Sequence, residues 1–300
     1  MFKTTLSQLF VVLMSVYTLN SAMGADLPDS NAEDIKKAIE SLTYQTGTII
    51  IKDPSTSKDL ATISTGNSLQ YLNPRDTKTV LETLWGNPPR DLSLGMIVSQ
   101  GFQPVGMEDH HYAIEITYSE DGYIDDKDAK DINFDELLQE MKSDTKSNNS
   151  ERIKQGYEPV ELIGWAQAPF YDSESKKLYW AKELKFGDGE MHILNYNIRI
   201  LGRKGYLNPN IIADMDDLGF VNEQLKTILE AVEFKPEFHY SSYDPSIDKL
   251  ASYGIGALVA GKVLSKAGFF VVLMKFWKVI AASLAALFIG LKKKFLGNKD

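Results

Sequence analysis

The sequence predicts an α+β domain, mainly an antiparallel sheet with flanking helices, between an N-terminal signal peptide and a C-terminal transmembrane helical segment. Three observations predict it. Strand-like runs separated by turn signals follow one another from Val160 to Ile212, with helical patterns before and after them rather than alternating with them. The first residues carry Lys3, an apolar run beginning Leu9-Phe10-Val11-Val12-Leu13-Met14, and the small residues Ala22-Met23-Gly24, the layout of a cleaved leader. The stretch Leu250 to Lys294 is apolar and rich in small residues, and it exceeds the roughly 20 residues a spanning helix needs. The expected divisions are a signal peptide over 1–24, an extracytoplasmic domain over 25–247, a membrane-anchoring segment over 248–294 and a short tail over 295–300.

Taken in order, Asp29, Ser30 and Asn31 are capping candidates for a helix from Ala32 to Leu42, whose apolar stripe is Ile35, Ala38, Ile39 and Leu42. Thr48–Ile51 and Leu60–Ser64 are β-rich runs joined by Asp53-Pro54-Ser55-Thr56, a hairpin. Thr77 to Leu84 reads as a helix stopped by Gly86-Asn87-Pro88-Pro89. Gly95–Val98 and His111–Tyr118 are strands, the second alternating as a half-buried strand does. Phe134 to Lys142 is an amphipathic helix, and Asp144 to Glu151 a polar loop or frayed helix end. Val160–Ala166, Leu178–Lys185 and His192–Leu201 are three antiparallel strands, and Gly205 to Ile212 adds another. A helix over Met215–Val232 and a short strand at Ala231–Phe234 complete the domain.

Charge is uneven. The whole carries −9, residues 262–300 contribute +7 and residues 1–24 contribute +1, so residues 25–261 carry −17. An acidic body argues against nucleic acid as partner, because phosphate backbones are held by basic surface. There is no cysteine, which excludes disulfides, thiol nucleophiles and thiolate metal sites. In the C-terminal stretch, Gly254, Gly256 and Gly261 supply small faces for close helix packing, and Phe269, Phe270 and Trp277 supply aromatic anchors. Lys262, Lys266, Lys275 and Lys278 interrupt the apolar run, so the safest span is Ala267 to Leu291, closed by Lys292, Lys293 and Lys294 on the cytoplasmic side. A helical hairpin turning at Lys275 and Lys278 is the alternative, and the first arm also suits a surface-lying helix.

Several phrases stand in a distinctive order. They include Trp85-Gly86-Asn87-Pro88-Pro89, Gly122-Tyr123-Ile124-Asp125-Asp126, Asn149-Ser150-Glu151-Arg152 and Gly164-Trp165-Ala166-Gln167-Ala168-Pro169-Phe170-Tyr171-Asp172. Leu178-Tyr179-Trp180-Ala181, Leu194-Asn195-Tyr196, Leu201-Gly202-Arg203 and Asp248 to Gly254 continue it. Together they resemble an uncharacterised family of bacterial membrane-anchored proteins, domain of unknown function 2167. The resemblance implies an exported domain with a C-terminal membrane segment. It implies no established activity and supplies no catalytic residues.

No motif elsewhere defines a reaction. His110, His111, His192 and His239 form no helical metal pair. Aligned on Gly122, the acidic run Ser119–Asp128 puts Thr117 and Asp128 where a calcium loop wants aspartate and glutamate. There is no GxSxG or SxxK, and Leu201 to Gly205 lacks phosphate-loop spacing. No cofactor and no metal site is expected. The strongest candidate for a ligand or partner platform is the aromatic phrase Trp165, Phe170, Tyr171, Tyr179 and Trp180 on two paired strands, with Arg152, Asn195 and Arg203 as the nearest polar groups. Cross-strand packing explains the same aromatics.

These readings point to a membrane-anchored protein of the cell envelope, with its main domain on the periplasmic side of the cytoplasmic membrane. A non-enzymatic binding or accessory module is the leading function. The alternatives are an envelope hydrolase using carboxylates, with or without a metal, and an oligomeric membrane component. The expected partners are the lipid bilayer, other envelope proteins and a second copy joined through the membrane helices.

Overall fold

The computed structural model describes residues 29–87, 93–105, 112–154, 156–189 and 192–260. The expected signal peptide lies outside these residues, as do His110, His111, Gly261, Phe269, Phe270, Trp277 and Lys292–Lys294. Among the described residues no helix is long and apolar enough to cross a membrane.

The chain opens with α1 (Asp29–Glu40), then β1 (Thr48–Lys52), β2 (Asp59–Ser64), β3 (Leu69–Leu72) and α2 (Pro74–Lys78), which runs on as a π-helical turn over 79–84. β4 (Ser93–Ser99), β5 (Ala113–Ser119) and α3 (Phe134–Lys154) follow. Next come β6 (Val160–Asp172), β7 (Lys177–Phe186), β8 (His192–Gly202) and β9 (Gly205–Asp214), then α4 (Leu218–Ala231), β10 (Val232–Phe234) and α5 (Ile255–Ala260). Seven strands form one sheet in the order β3-β4-β5-β9-β8-β7-β6, and β1-β2-β10 form a second. Every strand pairing is antiparallel. This is the expected α+β architecture.

Side chains alternate across a strand, so each long strand serves two layers. On β8, Leu194, Tyr196, Ile198 and Ile200 join one core with Ile51, Leu60 and Ile63 of the small sheet and Val221 and Ile228 of α4. On the opposite face, Ile193 and Ile212 belong to a second cluster with Leu72, Val80, Leu81 and Trp85. Leu178, Trp180 and Leu201 belong to a third, with Met141 of α3 and Ile255 and Leu258 of α5. The small sheet and α4 therefore cover one face of the large sheet, and two separate apolar clusters cover parts of the other.

Several elements differ from expectation; α1 begins at Asp29, so the expected capping residues lie inside it, and β6 runs on to Asp172. β3 is four residues long with Gln70 inside it, too short for a periodic signal. The helix expected at Thr77 starts at Pro74, because Asn73 Oδ1 accepts from the Arg75 and Asp76 amides at 2.9 and 3.1 Å. α3 continues through the polar stretch 144–151, expected as a loop or a frayed helix end. There Thr145 Oγ1 and Ser147 Oγ donate to the carbonyls of Met141 and Ser143 at 2.8 and 2.9 Å, spending their competing hydrogen bonds inside the helix. Asn149 then clamps α3 to β6, donating to Val160 O at 2.9 Å and accepting from Val160 N at 2.8 Å.

The segment 248–260, which the sequence assigns to the anchor, packs in the domain. The Tyr123 amide donates to Lys249 O at 2.8 Å, and the Ala251 amide donates to Tyr123 O at 2.7 Å. Gly122 permits this approach: its φ is +108°, and a Cβ there would lie 2.7 Å from Lys249 O. The Asp128 carboxylate then accepts from the Ile255 and Gly256 amides at 3.0 and 3.3 Å, capping α5 from a distant loop. A Cβ on Gly254 would collide with that carboxylate. Gly254 and Gly256, expected at a helix–helix face in lipid, thus lie beside Asp128 and Ile132, and Ile255, Leu258 and Val259 are buried.

Candidate functional site

Between the two apolar clusters on the far face of the large sheet lies a belt of buried polar side chains. Strand register builds it. Glu115 of β5 faces Asn210 of β9, Asn210 faces Asn197 of β8, and Asn197 faces Trp180 of β7. On one side of this row Asn208 faces Thr117, and Leu178 of β7 faces Arg199. On the other side, Asn195 faces Lys182, and Lys182 faces Trp165 of β6. Glu115, Thr117, Lys182, Asn195, Asn197, Arg199, Asn208 and Asn210 are all buried, the most accessible being Lys182 at 9%.

Amide-to-amide bonds hold the belt together. Asn195 Nδ2 donates to Asn210 Oδ1 at 3.1 Å, and Asn197 Nδ2 donates to Asn195 Oδ1 at 2.8 Å. Asn208 Nδ2 donates to Thr117 Oγ1 at 3.1 Å. Arg199 Nη1 donates to Asn208 Oδ1 and, at 3.0 Å, to its neighbour's carbonyl, Ile198 O. The Arg199 guanidinium also lies over the rings of Trp180 and Tyr206, at 4.9 and 5.5 Å from their centroids.

The two cations are the unusual members. Burial pushes the Lys182 ammonium down to about 8, and the neighbouring Arg199 charge pushes in the same direction. Burial lowers the Arg199 guanidinium as well. Among the described residues neither cation forms an ion pair with a carboxylate. Arg199 Nε and Trp180 Nε1 are buried with no hydrogen-bond partner. A buried charge without a countercharge is strongly unfavourable, by several kcal/mol as a rule, and Asn210 Nδ2 is a further buried donor without a hydrogen bond.

The belt gathers part of the expected platform. Trp165, Trp180 and Asn195 lie on its face. Trp165 Nε1 donates to Phe134 O at 3.3 Å and its ring packs on the third cluster. Tyr171 is nearby on β6 but its hydroxyl donates to Asp126 at 2.6 Å. Arg152 lies elsewhere, at the end of α3, where its Nε donates to Glu158 O at 2.9 Å and its charge, lowered to about 10 by burial, stands over Tyr157. Arg203 sits in the β8–β9 turn and bonds Asp248 at 2.6 Å. Phe170 is exposed and packs on Tyr179 at 5.3 Å between ring centroids. Lys182, Asn197, Arg199, Asn208 and Asn210 were not singled out from sequence. For Asn197 and Arg199 the signal is the alternation of β8, where Asn195, Asn197 and Arg199 take every second position.

Other candidate groups are committed to internal contacts. The acids of the 119–128 run serve separate partners: Asp121 accepts from Tyr253, Asp125 from Lys127, Asp126 from Tyr171 and Lys176, and Asp128 caps α5. His192 bonds Glu183, and His239 bonds Phe234 O at 2.9 Å. A cavity of about 510 Å³ opens where the start of β7 meets β10 and Tyr240. Its Lys177 donates to Leu229 O at 2.6 Å, and its Lys176 donates to Asp126 at 2.7 Å.

The family model described as "Protein of unknown function (DUF2167)" matches residues 44–290, and the chain belongs to that family. Several of its ordered phrases now have structural roles: Asn149 clamps α3 to β6, Gly122 admits the segment at Lys249, and Trp180 and Asn195 line the belt. No curated protein matches the chain. Among solved structures it is similar to that of cyanobacterial PsbP (CyanoP) from Synechocystis sp. PCC 6803, at 12% identity over 63% of this chain and 94% of that one. The TM-score is 0.33, below what defines a shared fold.

Proposed function

We propose that this chain is a membrane-anchored, extracytoplasmic binding or accessory module of the cell envelope, with the polar belt of its seven-stranded sheet as the recognition site. One observation carries the recognition site: buried amides, two cations and three orphaned donors, Arg199 Nε, Trp180 Nε1 and Asn210 Nδ2, share one face of the large sheet. Recognition sites of this kind place a few polar groups on a fixed scaffold and let an incoming ligand satisfy them. The location rests on sequence alone, on the leader-like residues 1–24 and the apolar stretch with its closing lysines. In this reading the domain extends to Ala260, and the bilayer span is Ala267 to Leu291. Envelope proteins and a second copy are the partners the anchor brings within reach.

Reporter fusions after Phe238 and at Asp300 test the location. Outside activity at Phe238 with a cytoplasmic Asp300 is expected, and cytoplasmic activity at Phe238 overturns it. For the role, the purified full chain is assayed against cell-wall, lipid and peptide substrates. Turnover of any of them, lost on substitution within the chain, overturns the binding reading.

A further inference from the structure

The belt also indicates what kind of ligand it takes. Among its open groups are the buried donors Arg199 Nε, Trp180 Nε1 and Asn210 Nδ2, and beside them stands the buried Lys182, in no ion pair with a carboxylate among the described residues. Arg199 and Lys182 stand on adjacent strands, one step to either side of the Trp180–Asn197 pair. Residues two apart on a strand are separated by about 7 Å, and paired strands by about 5 Å. The Arg199 guanidinium lies 4.9 Å from the centre of the Trp180 ring, and Lys182 stands near enough to feel its charge. On the Arg199 side a chain of tyrosines leads to Asp121: Tyr206 lies under the guanidinium, Tyr253 is hydrogen-bonded to Tyr206, and Tyr253 donates to Asp121. Glu115 stands at the other end of the row, beyond Asn210 and Asn197.

We propose that the belt binds a small oxyanion, a phosphate or carboxylate group, seated over the Trp180–Asn197 pair between Lys182 and Arg199. An oxyanion there supplies acceptors to Arg199 Nε and Trp180 Nε1 and a countercharge to both cations. Arg199 offers its Nε, since its Nη1 is held by Asn208 and Ile198 O, and Lys182 gives a compact point charge. The indole N–H fixes the orientation without adding charge. The inference names the ligand class of the recognition site proposed above and rests on that reading.

The test is thermal unfolding of the full chain in a nonionic detergent, with inorganic phosphate, succinate or chloride at equal ionic strength. Phosphate, succinate or both are expected to raise Tm by about 5 °C when present at a hundredfold excess over Kd. The ranking of the two anions separates a phosphate-type from a carboxylate-type ligand. Lys182→Met is expected to lose the rise while unfolding in chloride at the same Tm or above, since it removes a buried charge with no partner. Lys182→Arg is expected to keep part of the rise. Equal Tm in all three salts overturns the proposal, as does an undiminished rise in Lys182→Met. If Lys182→Met fails to fold while Lys182→Arg folds, Lys182 holds the structure rather than a ligand, and that too overturns it. The reporter fusions are independent of this result, so a silent titration removes the oxyanion without touching the location.

Discussion

Replacing Ile255 by alanine tests whether the segment after Asp248 belongs to the folded domain. Ile255 is fully buried, in one cluster with Trp180, Leu178 and Met141. The substitution removes three carbons, worth about 0.8 kcal/mol each, or about 2.4 kcal/mol in transfer alone. The cavity adds to this, giving about 3 kcal/mol, within the range of about 2–5 kcal/mol for buried Ile to Ala. For a domain of this size that lowers Tm by about 6–12 °C. The assay is urea unfolding of the full chain in nonionic detergent, followed by tryptophan fluorescence, with Leu284→Ala in the expected span as control. Ile255→Ala is expected to shift the midpoint strongly, and Leu284→Ala to leave it unchanged. A shift below about 1 kcal/mol for Ile255→Ala would place the side chain outside the core, in lipid or water, and refute the boundary at Ala260.

Two further outcomes follow from single residues. Asn149→Ala removes both bonds of the clamp and leaves the buried Val160 amide and carbonyl without that partner; about 2 kcal/mol of destabilisation is expected from urea midpoints, and a loss under about 0.5 kcal/mol contradicts the clamp. Burial raises the Asp126 carboxyl, but the Lys176 ammonium and the Tyr171 hydroxyl outweigh it and hold the group below the usual carboxylate range. Its contribution to stability is therefore complete above that range and lost as pH falls through it toward the folded value. Asp126→Asn should show a smaller drop in Tm than the parent between about pH 6 and pH 3.5, and parallel curves would exclude the linkage.

Much of the fold was legible in the sequence because its elements carry local signals. The β6–β9 meander follows alternating runs and turn residues, and the β1–β2 hairpin follows its proline-containing turn. The helix α3 was legible only to its midpoint, since Asn and Ser in its second half favour loops until their side chains find partners. The aromatic strand pair was visible as residue types, and the structure brings Trp165, Trp180 and Asn195 to one face while sending Arg152 and Arg203 elsewhere.

Sequence by itself determined the α+β class, the family and the acidic charge of the body, because these depend on composition, periodicity and ordered phrases. Tertiary structure alone decided the rest. Asn195, Asn197 and Arg199 alternate with apolar residues as they would on a strand with one wet face. Only the packing of other elements over that face converts them from a solvated row into a buried one. Likewise Ile255, Leu258 and Val259 are equally apolar for a bilayer and for a protein core. What settles their place is the Asp128 carboxylate, more than a hundred residues away in sequence, which satisfies the helix amides that would otherwise be left open.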